Sequence, residues 1–167
     1  MENQIHVRWM IRRDMPEVLA IERASFDDPW TEEEFIAELR TRNHVGMVAE
    51  RDEKVIGFMV YVLRPDSFDI INFAVDGECL RQGVGTRMVE KLRSKMAHQD
   101  RGQATVAIRE GNLAAQMFFR NHEFEAVEIL RRYYGEQDAY LMLYDKTKTG
   151  TMEANNRITQ LQGNEHE

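Results

Sequence analysis

The residues whose types and spacing best suit chemistry stand together between positions 70 and 86. Ile70-Ile71-Asn72-Phe73-Ala74-Val75 reads as a buried strand, Asp76 to Leu80 as a turn, and Arg81-Gln82-Gly83-Val84-Gly85-Thr86 as a glycine-rich entry into a helix. Gly85, Met88, Val89, Leu92 and Met96 then recur at helical spacing, with Arg87, Glu90, Lys91, Arg93 and Lys95 on the wet face. Two glycines in a first helical turn let a ligand approach the backbone closely. The free N–H groups there, with the positive end of the helix dipole, suit a phosphate. A glycine turn that binds nothing is the alternative for this spacing alone. A P-loop is excluded, because no Lys-Ser or Lys-Thr follows the second glycine. A full dinucleotide fingerprint is excluded by Met88 in the third glycine position.

The elements that must position this loop follow from pattern. Ile5, Val7, Trp9 and Ile11 alternate with His6, Arg8 and Met10 and predict a strand. Asp14 with Glu17 predicts a capping box, Pro16 is tolerable in a first turn, and a helix runs to about Ala24. Thr31-Glu32-Glu33-Glu34 is a second capping box. Trp30 before it and Phe35 after it make a hydrophobic staple, for a helix ending near Arg40. Val45 to Glu50 and Lys54 to Leu63 read as strands joined by the polar turn Arg51-Asp52-Glu53, and Phe68 to Val75 as the strand entering the loop. Gln103 to Arg109 is a further strand. Asn112 caps a short helix, Leu113 to Arg120, and Phe124 to Ile129 with Ala139 to Tyr144 form a last antiparallel pair. The fold class expected is α/β (α+β): one domain over 5–145, about seven mostly antiparallel strands and about four helices. Residues 146–167 read as a polar, mobile tail with a weak helical turn at Ile158 and Leu161.

Bulk properties narrow the function classes. A chain of 167 residues with 43% hydrophobic content can bury one sizeable core. The single cysteine, Cys79, excludes an internal disulfide framework and fits a reducing, cytoplasmic setting. The start carries no signal-peptide pattern, and the longest apolar run, Val55 to Leu63 with Gly57 inside it, is too short for a membrane span. A net charge of −7 argues against general nucleic-acid binding and favours basic partners such as cationic peptides.

Val75-Asp76 followed by Arg81-Gln82-Gly83-Val84-Gly85 resembles the acetyl-CoA pyrophosphate loop of the GNAT N-acetyltransferases, with Leu80 in place of the family's leading Arg or Gln. Three more stretches, in the family's order, resemble its ribosomal-protein-alanine (RimI-type) and N-terminal acetyltransferase branch. They are Arg23 to Thr31 leading into Glu34-Phe35, Arg109 to Phe119, and Arg131-Arg132-Tyr133-Tyr134 with Gln137-Asp138-Ala139. The resemblance covers residues 5–145. It implies a transfer of acetyl from acetyl-CoA to the N-terminal α-amine of a protein, with no metal. It assigns the pantetheine arm to the backbone of Phe73, Ala74 and Val75, and the pyrophosphate to Arg81, Gln82, Gly83, Val84, Gly85 and Thr86. Asn112 and Phe119 lie along the arm. Phe26, Pro29, Trp30, Tyr133 and Tyr134 wall the acceptor groove.

The family's usual proton apparatus is incomplete. The positions matching its glutamate base and tyrosine acid are Ala107 and Phe119, and neither carries a titratable proton. Asp28 and Tyr134 are the substitutes proposed for catalysis, with Asp69 and Glu110 as other nearby carboxylates. Two further readings remain: a GNAT enzyme acting on a lysine or a small polyamine, and an acyl-CoA-binding module without turnover.

Overall fold

A computed structural model describes residues 4–148. These contain seven strands and four helices of seven residues or more, in the order strand, two helices, three strands, helix, strand, helix, two strands, as the pattern requires. The chain forms two compact units, one ending at Arg101 and the other beginning at Gly102.

In the first unit, β1 (His6–Trp9), β2 (His44–Arg51), β3 (Lys54–Leu63) and β4 (Ser67–Val75) pair antiparallel in that order. Three helices, α1 (Met15–Ser25), α2 (Glu32–Arg40) and α3 (Val84–His98), belong to it. Strand β3 is buried from Val55 to Val62, which explains its unbroken apolar run. Strand β4 alternates instead, turning Phe68, Ile70, Asn72 and Ala74 inward. Val60 pairs with Asn72 and Tyr61 with Ile70, so Ile71 is an extra residue beside Asn72, a bulge of the kind that re-aims a side chain. Val18, Phe35, Val48, Phe58 and Val60 form the fully buried centre.

The α2 start is as predicted. Thr31 accepts from the Glu34 N–H at 3.2 Å, Glu34 accepts from the Thr31 N–H at 3.0 Å, and the Trp30 and Phe35 rings meet edge-on at 4.9 Å. The α1 capping box does not form. Asp14 instead takes both arms of the Arg8 guanidinium, at 2.7 and 2.8 Å, and the Ile11 N–H at 2.9 Å. A bidentate charged pair outcompetes a cap bond to the helix's own amide. Glu17 reaches away to the Val55 N–H at 2.9 Å. The β2–β3 turn is the two-residue kind, with Asp52 and Glu53 both left-handed (φ 52° and 62°).

In the second unit, β5 (Gln103–Arg109), β7 (Gln137–Asp145) and β6 (Glu125–Tyr134) pair antiparallel in that order, joined with α4 (Leu113–Asn121). Strand β6 runs five residues beyond the expected Ile129, which places Tyr133 and Tyr134 at a strand end rather than in a loop. The extension exists because Gly135 (φ 69°) closes a two-residue turn and Asp138 holds the bulge before it. The Asp138 carboxylate accepts from Arg131 at 3.0 Å and from the Arg132 N–H at 2.9 Å. After β7, residues 146–148 are helical, and Thr147 donates through its N–H and hydroxyl to Asp145. The remainder of the expected tail, 149–167 with Ile158 and Leu161, lies outside the described residues. No helix among the described residues is long and apolar enough to cross a membrane.

Candidate functional site

The glycine loop starts where β4 ends. Asp76 accepts from the Glu78 N–H at 3.0 Å and opens a short 3-10 turn, Gly77–Cys79. Arg81 (φ 62°) and Gly83 (φ 82°) then take left-handed backbone, and Gly83 stands at the N-cap of the 15-residue α3. No side chain caps that helix, and its first turn holds no acidic residue. Arg81, Gln82 and Gly83 are exposed, and a Cβ on Gly83 would meet nothing within 4 Å. Val84 and Gly85 face inward and Thr86 is half-buried, so any ligand contact from the first two is through backbone. Amide-rich backbone at the positive end of an uncapped helix, with an exposed arginine beside it, fits an anionic pyrophosphate. The side chain of Leu80, which is 58% exposed, offers no donor.

Two devices brace this loop. Gly57 on β3 admits α3 closely: a Cβ there would stand 2.9 Å from Met88 Cε and 3.1 Å from Val84 Cγ1. Arg51, read from sequence only as a turn residue, donates to Gln82 Oε1 at 2.8 Å and approaches Cys79 Sγ at 3.4 Å, while Gln82 Nε2 reaches the Glu78 carbonyl at 3.3 Å. Gln82 therefore spends its side chain on the loop. The contact spans 31 positions, and no local spacing signals it.

The α1–α2 connection carries Phe26, Pro29 and Trp30, all half-buried, with Phe26 and Trp30 against the core. Asp28 stands exposed on it and makes no hydrogen bond or ion pair among the described residues. Beneath lies Glu22, 2% exposed, whose carboxylate accepts from the Trp30 N–H at 3.0 Å and from Asn72 Nδ2 at 2.9 Å. Burial raises its carboxyl above the usual range, against those two bonds. Neither residue was singled out from sequence, although a signal exists. Glu22 follows Val18 and Leu19 at helical spacing, and Asn72 shares the inward parity of Ile70 and Ala74. Phe73 and Val75 alternate with Ala74 along the same strand, half-buried against its buried 6%. Asp69, also on β4, pairs with Arg64 at 3.4 Å.

In the second unit, Asn112 caps α4 by accepting from the Ala115 N–H at 3.1 Å, and Glu110 is exposed just before it. Phe119 is 2% exposed and meets Phe118 and Phe124 edge-on at 5.1 Å each, so its ring is core. The Tyr134 hydroxyl donates to the Ala107 carbonyl at 3.2 Å, at the strand position matched to the family's base. Its ring lies 4.2 Å from the Arg109 guanidinium and 4.8 Å from the exposed Tyr133 ring. A hollow in this unit, about 930 Å³ and lined by Leu113, Met117, Phe124, Val127 and Met142 among others, contains none of the proposed site residues. A second, about 210 Å³ in the first unit, touches the loop at Asp76 and Gly77. No group of three or more His, Cys, Asp or Glu among the described residues could hold a metal ion.

Comparison with known proteins shows the family and the fold. A family model described as "Acetyltransferase (GNAT) family" matches residues 15–124. The [ribosomal protein bS18]-alanine N-acetyltransferase of Escherichia coli K12 is 29% identical over 135 residues, 77% of this chain and 89% of its own. The crystal structure of the ribosomal-protein-S18-alanine N-acetyltransferase from Escherichia coli superposes with a TM-score of 0.78 at 23% identity, covering 85% of this chain and 94% of that one. Ard1 from Thermoplasma volcanium gives 0.79 at 24% identity, covering 84% and 97%.

Proposed function

The chain belongs to the GNAT acetyltransferase family and is an N-acetyltransferase; from that premise we propose that it acetylates the N-terminal α-amine of a protein, a ribosomal protein being one candidate. The observation that carries the cofactor half is Gly83, left-handed and open at the uncapped start of α3. The acceptor half is supported by the likeness to N-acetyltransferases whose names specify an alanine of a ribosomal protein.

Bound acetyl-CoA supplies the acetyl group as a thioester. In this reading Arg81 to Thr86 hold its pyrophosphate and the backbone of Phe73 to Val75 its pantetheine arm, with Asn112 along it; Phe119, expected beside the arm, is 2% exposed and stays in the core instead. Phe26, Pro29, Trp30, Tyr133 and Tyr134 hold the acceptor chain; tyrosine suits this, with a flat apolar body and a hydroxyl that bonds peptide backbone. A terminal α-amine has a pKa of about 7.7–8.0, so a substantial minority is neutral near pH 7 and the base has modest work. Asp28 accepts the amine proton directly or through water. Tyr134, whose hydroxyl donates to the Ala107 carbonyl, gives a proton to the departing CoA thiolate or holds a water that does. The setting proposed is cytoplasmic.

A peptide panel with free and blocked α-amines tests this. Turnover is expected only where the α-amine is free. Turnover on blocked peptides with free lysines would move the acceptor to lysine, and no turnover with intact acetyl-CoA binding would leave a binding module.

A further inference from the structure

Glu22 is an anomaly in its own helix. Its neighbours on the inner face of α1 are Val18, Leu19 and Ile21, all buried, and a leucine at position 22 would complete that face. A buried carboxylate costs several kcal/mol in solvation unless its oxygens are well bonded. Both oxygens here are bonded, and to two different elements. Oε1 takes the Trp30 N–H, the residue just ahead of the α2 cap, and Oε2 takes Asn72 Nδ2 on β4. Asn72 sits beside the Ile71 bulge and immediately before Phe73 to Val75. The spacing of the two oxygens within one carboxylate is rigid. The chain Trp30 N–H to Glu22 to Asn72 therefore locks the α1–α2 connection to the strand that leads into the glycine loop.

We propose that Glu22 is the positioning residue of the acceptor groove, holding Phe26 to Trp30 in register with β4 through Asn72 so that the acceptor amine meets the acyl group at a fixed place. This rests on the assignment of that connection as an acceptor wall. An apolar residue would pack as well but would leave the part-buried Trp30 N–H and the buried Asn72 amide without these bonds and the connection free to shift. Asn72, inward between Ile70 and Ala74, thereby serves as the far anchor of the lock.

The test uses the full chain. Glu22→Leu is expected to raise the peptide KM about tenfold or more, with kcat and the acetyl-CoA Kd within about threefold of the parent, because it shifts one wall and leaves the glycine loop. Glu22→Gln should bring KM back to within about threefold, since its oxygen still accepts from Trp30 and its amide meets Asn72 after that side chain turns over. Asn72→Asp sets two carboxylates face to face and should raise KM, and Glu22→Gln with Asn72→Asp should restore it, because donor and acceptor are exchanged. Hydrogen exchange gives a reading independent of the acceptor: the Trp30 amide should lose protection in Glu22→Leu, whichever amine the parent accepts. A folded Glu22→Leu with parental peptide KM and Trp30 protection overturns the proposal. So does a variant that loses KM, kcat and acetyl-CoA affinity in equal measure, which marks Glu22 as structural only. Should Glu22→Leu not fold, Asn72→Ala decides: a peptide KM raised threefold or more supports the proposal, and an unchanged one overturns it. If the parent takes no α-amine peptide at all, the assigned function fails, while the exchange result still judges the lock.

Discussion

Replacing Gly83 separates the fold from the ligand. Its φ of 82° lies in left-handed space, which costs an L-residue about 1–2 kcal/mol. The space around it is open, so no steric cost is added. In Gly83→Glu the new carboxylate also stands at the positive end of α3, which returns about 0.3–1 kcal/mol. The net loss of about 1 kcal/mol should lower Tm by about 2–4 °C in a chain of this size. The ligand meets a larger penalty. A carboxylate about 4 Å from a phosphate charge, at an effective dielectric of about 20, costs about 4 kcal/mol, or roughly a thousandfold in affinity. At acetyl-CoA near 100 times the parental Kd, binding stabilises the parent by about 2.7 kcal/mol, a shift of about 5–11 °C that the variant should lack. Gly83→Asn is the control, since Asn tolerates left-handed backbone and adds no charge. It should melt near the parent and keep most of the ligand shift. Differential scanning fluorimetry with and without acetyl-CoA, followed by calorimetry, reads all three proteins. A folded Gly83→Glu with the parental ligand shift would refute the assignment of the loop to the pyrophosphate.

Three further expectations concern Tyr134, Asp28 and Asp14. Tyr134→Phe keeps the ring beside the Arg109 guanidinium and loses the bond to Ala107. The fold should survive within about 0.5–1.5 kcal/mol, and steady-state kinetics should show kcat down about 10²–10⁴-fold if the hydroxyl acts in proton transfer, or KM raised with kcat held if it only binds peptide. Asp28→Asn should slow the reaction most at acidic pH, where fewer amines are neutral, with the loss shrinking above the amine pKa; an overlay of its pH–rate profile on the parent's rules Asp28 out as base. For Asp14, burial alone would raise the carboxyl, but the Arg8 pair, the Ile11 N–H and the Arg8 and Arg13 charges outweigh it and hold it below its usual 3.8. Its stabilisation is therefore present above about pH 4 and fades as acid protonates the folded-state carboxylate. Asp14→Asn should cost about 1.5–3 kcal/mol at neutral pH by urea titration, and the difference from the parent should shrink as the pH falls below the usual carboxylate value toward the lowered folded-state one.

Local chemistry made most of the architecture legible in the chain itself. The Thr31–Glu34 box and the Trp30–Phe35 staple involve residues three to five apart, and they form as read. The α3 face, the β3 run, the alternation of β4 and the left-handed glycine at a helix start also depend on near neighbours, so periodicity and backbone sterics suffice. The misreadings share one cause. Asp14 looked like a cap until Arg8 claimed it, and β6 looked finished at Ile129 until Asp138 and Gly135 carried it to Tyr134. In each case a charged or hydrogen-bonding partner from another element offered a stronger bond than the local one. The same holds at the candidate site. Sequence placed Gly83, but only folding brings Arg51 to Gln82, the Tyr134 hydroxyl to Ala107, and Glu22 between Trp30 and Asn72. Spacing encodes which face a residue takes; which distant donor meets it there is decided by the packing of whole elements, because a buried polar group must find its partner wherever the fold brings one.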